Sequence, residues 1–216
     1  MIRIGIVDDE APVRAGLREI LQSADDLIVV GEASGGSQAV DLARRHRPDV
    51  LLMDVRMPDV DGLTATELVR SETPSTAVVV LTTFALDEYV HRALRAGAAG
   101  FLLKDTDPRD LIAAVRAVAG GDAILSPGIT RVLLDHYVDT TSPRAARARR
   151  LVDELTDREA EVLVHVGSGQ SNTEIARELH VSEGTVKAHV SKLLLKLGCD
   201  NRVQVAIVAH EAGLLG

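Results

Sequence analysis

The residues able to do chemistry stand at the ends of short apolar runs. Asp8 and Asp9 directly follow the run Ile2–Val7, Asp54 and Thr82 close the runs Asp49–Met53 and Thr76–Leu81, and Lys104 follows Gly100–Leu103. Three carboxylates converging on one small pocket repel each other unless a cation sits among them. Oxygen-only donors with room for water suit Mg²⁺. A carboxylate is also a nucleophile toward a phosphoryl group, giving an acyl phosphate. The transferring group then needs positive charge and hydrogen-bond donors around its equatorial oxygens. Lys104 supplies the charge and Thr82 a hydroxyl donor. The chemistry these residues imply is phosphoryl transfer to a carboxylate beside a metal ion.

Bringing such residues together is the work of the elements that carry them. Over the first ~120 residues, brief runs rich in Val, Ile and Leu read as strands buried on both faces of a parallel sheet. The remaining run is Leu27–Ala33. Helix-length amphipathic segments lie between and after them, among them Pro12–Ser23, Ser37–His46, Asp87–Ala96 and Pro108–Ala119. Strands alternating with helices predict an α/β domain, a flavodoxin-like doubly wound five-stranded parallel sheet. In that strand order the first and third strands flank the crevice where the winding reverses, beyond their carboxyl ends. The predicted organisation is this domain over residues 1–120, a linker over 121–150 and a small all-α domain over 151–216. Within the linker, Ser126-Pro127 opens a predicted short helix to about Tyr137. TTSPRAARARR (140–150) has four arginines and no acid, the composition of a solvated connection.

The last segment is read as four helices. Thr156-Asp157-Arg158-Glu159 is a capping box opening the first. Ser171 or Asn172 caps a short second helix to Leu179, and His180-Val181 forms a tight turn. Ser182 caps a third helix that reaches Leu197 and ends at Gly198, and Asp200 or Asn201 starts the fourth. A short helix, a tight turn and a longer helix make a helix-turn-helix. On the third helix Val186, Val190, Leu193, Leu194 and Leu197 fall on one stripe that must pack inward. Gly184, Ala188, Ser191 and Lys192 lie opposite, flanked by Thr185 and Lys187. Such a narrow face of small, hydroxyl and basic residues fits the major groove of double-stranded DNA.

Two known families are similar to these halves. IVDDE, LLMDVRMPDVDG, VVVLTTF and AGAAGFLLKD match, in order and spacing, the landmarks of response-regulator receiver domains. That resemblance implies that Asp54 is the phosphoacceptor. It also implies Mg²⁺ held by Asp9, Asp54 and the Arg56 carbonyl, with Asp8 helping through water. Lys104 then binds the phosphoryl group, Thr82 moves toward it as the switch, and Phe101 is the switch aromatic or a core residue of the fifth strand. Arg56 and Phe84, both bulky, stand at positions that affect acyl-phosphate lifetime and imply a long one.

Residues 151–214 resemble the LuxR-type helix-turn-helix through TDRE, NTEIA and SEGTVKAHVSKLLLKLG. The resemblance implies that Lys187, Ala188 and Ser191 face base edges while Thr185 and Lys192 hold phosphates. The fourth helix supplies a dimer contact, with Val203, Val205, Ile207 or Val208 in core or interface. Leu195 on the outer face and Cys199 depart from the family pattern.

Together the halves resemble a NarL/FixJ-type two-component response regulator. The implied partners are a sensor histidine kinase, promoter DNA and, once phosphorylated, a second copy of the chain. The implied domain assists only its own phosphorylation and dephosphorylation and is not an enzyme on external substrates.

Composition bounds these readings. The 216 residues are 46% hydrophobic and 26% charged, with one cysteine and no apolar run approaching a membrane span. A cytoplasmic protein without a disulfide framework or membrane segment is expected. The net charge is −8, and residues 151–216 hold six basic and ten acidic groups. DNA affinity must therefore rest on a few lysines, Lys187, Lys192 and Lys196 being clustered, and on pairing of two subunits. An aspartyl phosphohydrolase needs a second acid where Arg56 stands. A flavin-binding domain needs a phosphate cradle where Asp8-Asp9-Glu10 repels phosphate. A regulator that binds DNA without phosphorylation leaves the acidic set without a purpose.

Overall fold

In the structure, a computed structural model, residues 1–83, 87–125 and 143–215 are described. The chain divides into two compact units, Met1–Thr130 and Arg131–Gly216.

The first unit alternates β1 (Ile2–Val7), α1 (Ala11–Gln22), β2 (Leu27–Ala33), α2 (Gly36–His46), β3 (Val50–Asp54), α3 (Gly62–Glu72), β4 (Ala77–Thr82), α4 (Asp87–Arg95), β5 (Gly100–Leu103) and α5 (Pro108–Ala119). All pairings are parallel, in the order β2-β1-β3-β4-β5, and a two-residue strand β6 (Ile124–Leu125) extends the edge beside β5. This is the predicted doubly wound sheet. Every residue of β3 is buried because helices cover both faces. Ile4, Ile6, Val50, Leu52, Val79 and Leu81 form one core with Leu17 and Leu21 of α1 and with Leu111 and Val115 of α5. Alternation along the strands turns Leu51 and Met53, also fully buried, to the other face.

The second unit contains α6 (Pro143–Asp153), α7 (Asp157–Gly167), α8 (Asn172–Glu178), α9 (Glu183–Leu197) and α10 (Arg202–Glu211). Helix α6 corrects the sequence reading of 140–150 as a solvated connection and of Leu151 as the start of the domain. Its Ala145 and Ala148 are buried, one helical turn apart, and α6 packs against α10. Arg147, Arg149 and Arg150 are exposed around it and hid that small apolar stripe. The predicted helix from Ser126 to Tyr137 lies outside the described residues, as does Phe84.

The other caps fall where the sequence places them. Thr156 and Ser171 each close a capping box, with Glu159 and Glu174, and Ser182 Oγ accepts from the Thr185 amide at 3.1 Å. His180 forms the turn in a left-handed conformation (φ 53°), Gly198 (φ 63°) stops α9, and Asn201 caps α10. Among the described residues no helix is long and apolar enough to cross a membrane.

Candidate functional site

The carboxyl ends of β1, β3, β4 and β5 bring the predicted residues together. Asp54 is the last residue of β3, pairing in register with Leu81, and Thr82 ends β4. Lys104 is anchored just past β5 by its amide, which donates to the Thr82 carbonyl at 2.7 Å. Its ammonium then lies between two buried carboxylates, 2.7 Å from Asp8 Oδ2 and 3.0 Å from Asp54 Oδ1, and 3.9 Å from Glu10 Oε1. Asp8 is held from behind: its Oδ1 accepts from the Glu10 amide at 2.9 Å, and its carbonyl accepts from Arg14 at 2.7 Å.

Electrostatics follow from this burial. Loss of water raises the Asp54 pKa, and Lys104 opposes that shift without cancelling it, while the nearby Asp8 charge adds to it. For Lys104, burial works against the charge, but its hydrogen bonds and attraction to Asp8 and Asp54 prevail and raise its pKa. The result is a carboxylate poorly solvated in its charged form beside a firmly charged ammonium, the pairing a phosphoryl acceptor needs.

Two residues contribute here beyond the sequence reading. Glu10 joins Asp8 and Asp9 in a group whose carboxylate oxygens all lie within 4.8 Å of one another. These three oxygen donors, two of them on exposed residues open to water, fit a hard cation such as Mg²⁺. The acidic triplet in IVDDE was visible, but its third member read only as repulsive charge. Gly62, at the start of α3, lies against the Asp54 backbone. A Cβ there would sit 1.7 Å from the Asp54 carbonyl oxygen, and the Gly62 amide donates to the Val55 carbonyl at 3.0 Å. Only glycine lets α3 begin directly beneath Asp54.

Thr82 and Phe101 are both buried, Phe101 among the largest fully enclosed side chains and in register with Val80 of β4. Arg56 is exposed in the loop after β3, its guanidinium 5.9 Å from the centre of the Tyr89 ring on α4.

In the second unit, Val186, Val190, Leu193 and Leu197 of α9 are buried and Leu194 is half-buried, the predicted inner stripe. Thr185, Lys187, Ala188, Ser191 and Lys192 are all exposed. The Thr185 hydroxyl is within 2.9 Å of Ser182 Oγ, and Ser191 Oγ donates back to the Lys187 carbonyl at 2.9 Å. Among the described residues, no ion pair engages Lys187 or Lys192.

Lys196 behaves differently from its neighbours. Its ammonium donates to Glu159 Oε2 at 2.6 Å, and the same carboxylate closes the Thr156 capping box. Hydrogen bonds from Lys196 and from Thr156 hold the Glu159 carboxyl at about 2. One predicted member of the basic cluster is thus a brace between α7 and α9. A second brace, unforeseen, runs from the buried Arg202 of α10 to Asn172 Oδ1 at 2.6 Å and to the Gln170 carbonyl. On α10, Val203 and Val205 are buried and Val208 packs at the core margin, whereas Ile207 is half-exposed and outside the core cluster. Burial pushes the Cys199 thiol up to about 11.

A doubly wound sheet gathering buried carboxylates around a lysine, followed in the same chain by a helix-turn-helix, defines a two-domain signalling regulator. Residues 4–116 match the response regulator receiver domain, and residues 153–209 match the luxR family of bacterial regulatory proteins. The transcriptional regulatory protein YxjL of Bacillus subtilis is 40% identical over 214 residues, 99% of this chain and 97% of its own. The nitrate/nitrite response regulator NarL of Escherichia coli is 38% identical over 208 residues, 95% of this chain and 94% of its own. A structure of two RcsB dimers bound to two parallel DNAs is 25% identical and superposes with a TM-score of 0.57, covering 98% of each chain. The chain belongs to the NarL/FixJ-type two-component response regulators, with a receiver domain and a LuxR-type DNA-binding domain, a family of transcription regulators and not of catalytic enzymes.

Proposed function

We propose that Asp54 accepts a phosphoryl group from a sensor histidine kinase and that the acyl phosphate shifts the chain toward a dimer that binds paired promoter half-sites. The observation that carries the first half is the Lys104 ammonium 3.0 Å from Asp54 Oδ1. An Asp54 carboxylate oxygen attacks phosphorus, a new O–P bond forms, and the donor's P–N bond breaks with its electron pair returning to the imidazole. Lys104 neutralises one phosphoryl oxygen as charge arrives, and the Thr82 hydroxyl donates to another, moving toward it from the end of β4. Phe101, beneath it on β5, follows as the switch aromatic. Asp8, Asp9, Asp54 and the Arg56 carbonyl would hold Mg²⁺, with Glu10 at the rim of the same acidic group. The ion supplies positive charge that lets a dianionic group approach an acidic pocket.

The second half rests on the exposed face of α9. Lys187, Ala188 and Ser191 face base edges, and Thr185 and Lys192 hold the phosphate backbone. The RcsB structure contains dimers on DNA, and doubling the contacts compensates for the scarcity of free lysines in an acidic domain. Phosphorylation acts through the relative populations of receiver conformations.

Mass measurement of the full chain after treatment with acetyl phosphate and Mg²⁺ tests the acceptor. The expected result is gain of a single phosphoryl group that an Asp54→Ala variant does not acquire. Unchanged mass, or equal gain by the variant, contradicts the assignment.

A further inference from the structure

Leu195 is 84% exposed, and among the described residues it is the sole large apolar side chain of the second unit that stands in solvent. Its neighbours Leu193 and Leu197 are buried, so helix geometry alone turns Leu195 away from the core. At about 100° per residue it lies within about 20° of Ala188 and of Gly184 on the helix wheel. All three are exposed, with Ser191 and Lys192 on either side. The line from Gly184 to Leu195 runs about 16 Å along the helix, down the middle of the face assigned to DNA. Side-chain size grows along it, from hydrogen to methyl to isobutyl. A straight helix whose N-terminal residues meet the base edges draws away from a curving groove further along. A longer side chain at that end keeps contact where the gap has widened. Leu195 can neither donate nor accept a hydrogen bond, and the apolar group displayed on major-groove base edges is the thymine 5-methyl.

We propose that Leu195 is a specificity residue that packs on the 5-methyl of a thymine in each half-site, at the end of the recognition helix remote from Ser182. The inference rests on the DNA-binding reading of α9 and adds the base it prefers.

Deoxyuridine substitution tests this by removing only the methyl. The full-length protein, treated with acetyl phosphate and Mg²⁺, first selects its tightest duplex from a random pool. Thymines of one half-site are then replaced singly. The expected result is about a fourfold loss of affinity at one thymine, the effect of one buried methyl-sized group. A Leu195→Ser variant, whose fold is safe because the residue is exposed, binds both duplexes at the level of wild type on the uracil duplex. Several results overturn the inference while leaving DNA binding intact: no thymine is sensitive, the variant keeps the thymine preference, or the variant binds both duplexes more tightly than wild type. The last would place Leu195 in a contact that holds the protein off DNA. Failure to select any duplex overturns the DNA-binding reading itself, and the inference with it.

Discussion

The Lys196 ammonium on the recognition helix lies 2.6 Å from Glu159 Oε2, and that carboxylate also accepts from the Thr156 amide at the start of α7. Glu159 is buried, so the pair fixes the recognition helix to the cap of a helix 37 positions earlier. Removing Lys196 leaves a buried carboxylate without its cation, a more damaging change than removing both partners. Lys196→Met is expected to lower the midpoint of thermal unfolding of the second unit, and Glu159→Gln combined with Lys196→Met to recover part of the loss. Calorimetry of the full chain checks the order of stabilities.

The same pair has a pH signature. The Glu159 carboxyl is held at about 2 in the folded state, below its ordinary value of 4.5. A depressed carboxyl pKa contributes stability that is present above 4.5 and lost as pH falls toward 2, because the unfolded chain takes up the proton first. The stability gap between wild type and Glu159→Gln should therefore narrow as pH falls from 5 to 3. A gap that is constant across that range contradicts the linkage.

Asp54 has the opposite sign. Burial raises its pKa, so between the ordinary value of 3.8 and the higher folded value the native state binds the extra proton. Stability then declines as pH rises through that window, and the strain of a buried charge persists above it. Asp54→Asn is expected to be more stable than wild type at neutral pH without divalent cation, with the advantage fading in acid. Urea denaturation at several pH values measures it.

Gly62 links the fold directly to Asp54. Because an added Cβ meets the Asp54 carbonyl oxygen at 1.7 Å, Gly62→Ala must push α3 or the end of β3 aside. A destabilisation of about 1–3 kcal/mol is expected, as for overpacking elsewhere in a core. Phosphorylation by acetyl phosphate should slow with it, whereas Gly16→Ala, inside α1 with open space around it, should raise stability by about 0.5–1 kcal/mol and leave phosphorylation unchanged.

Much of this was legible in the sequence, for identifiable reasons. Asp8, Asp54, Thr82 and Lys104 stand at the ends of buried runs, so the strand pattern alone carries them to one edge of the sheet. The inner stripe of α9 follows from helical period, and the caps Thr156, Ser171, Ser182 and Asn201 from single hydroxyl or amide side chains. The structure adds what depends on distant partners. Nothing local in Lys196 distinguishes it from Lys187 or Lys192; its commitment to Glu159 emerges only when α7 and α9 pack. Arg202 and Asn172 are likewise joined across 30 positions. Helix α6 was hidden because Ala145 and Ala148 are too small to register as an apolar face among arginines.

The DNA face makes a separable claim about charge. Lys192, exposed and without an ion-pair partner among the described residues, is assigned a phosphate contact. Lys192→Ala should weaken binding to all duplexes alike and reduce the slope of log affinity against log salt by about 1 per subunit. Ser191→Ala, at a position proposed to face bases, should instead alter which duplexes are preferred. Affinities over a salt series distinguish the two.

The central claim is that the state of Asp54 governs DNA binding by α9, and affinity measured with and without phosphodonor tests it most directly. Full-length protein, with Mg²⁺ present throughout, is titrated onto its selected duplex before and after treatment with acetyl phosphate, beside an Asp54→Ala variant. The account expects treatment to tighten binding at least tenfold, a shift of ~1.4 kcal/mol, with the complex formed by a dimer and the variant unresponsive. Equal affinity before and after treatment, in protein whose mass shows the phosphoryl group attached, would contradict it.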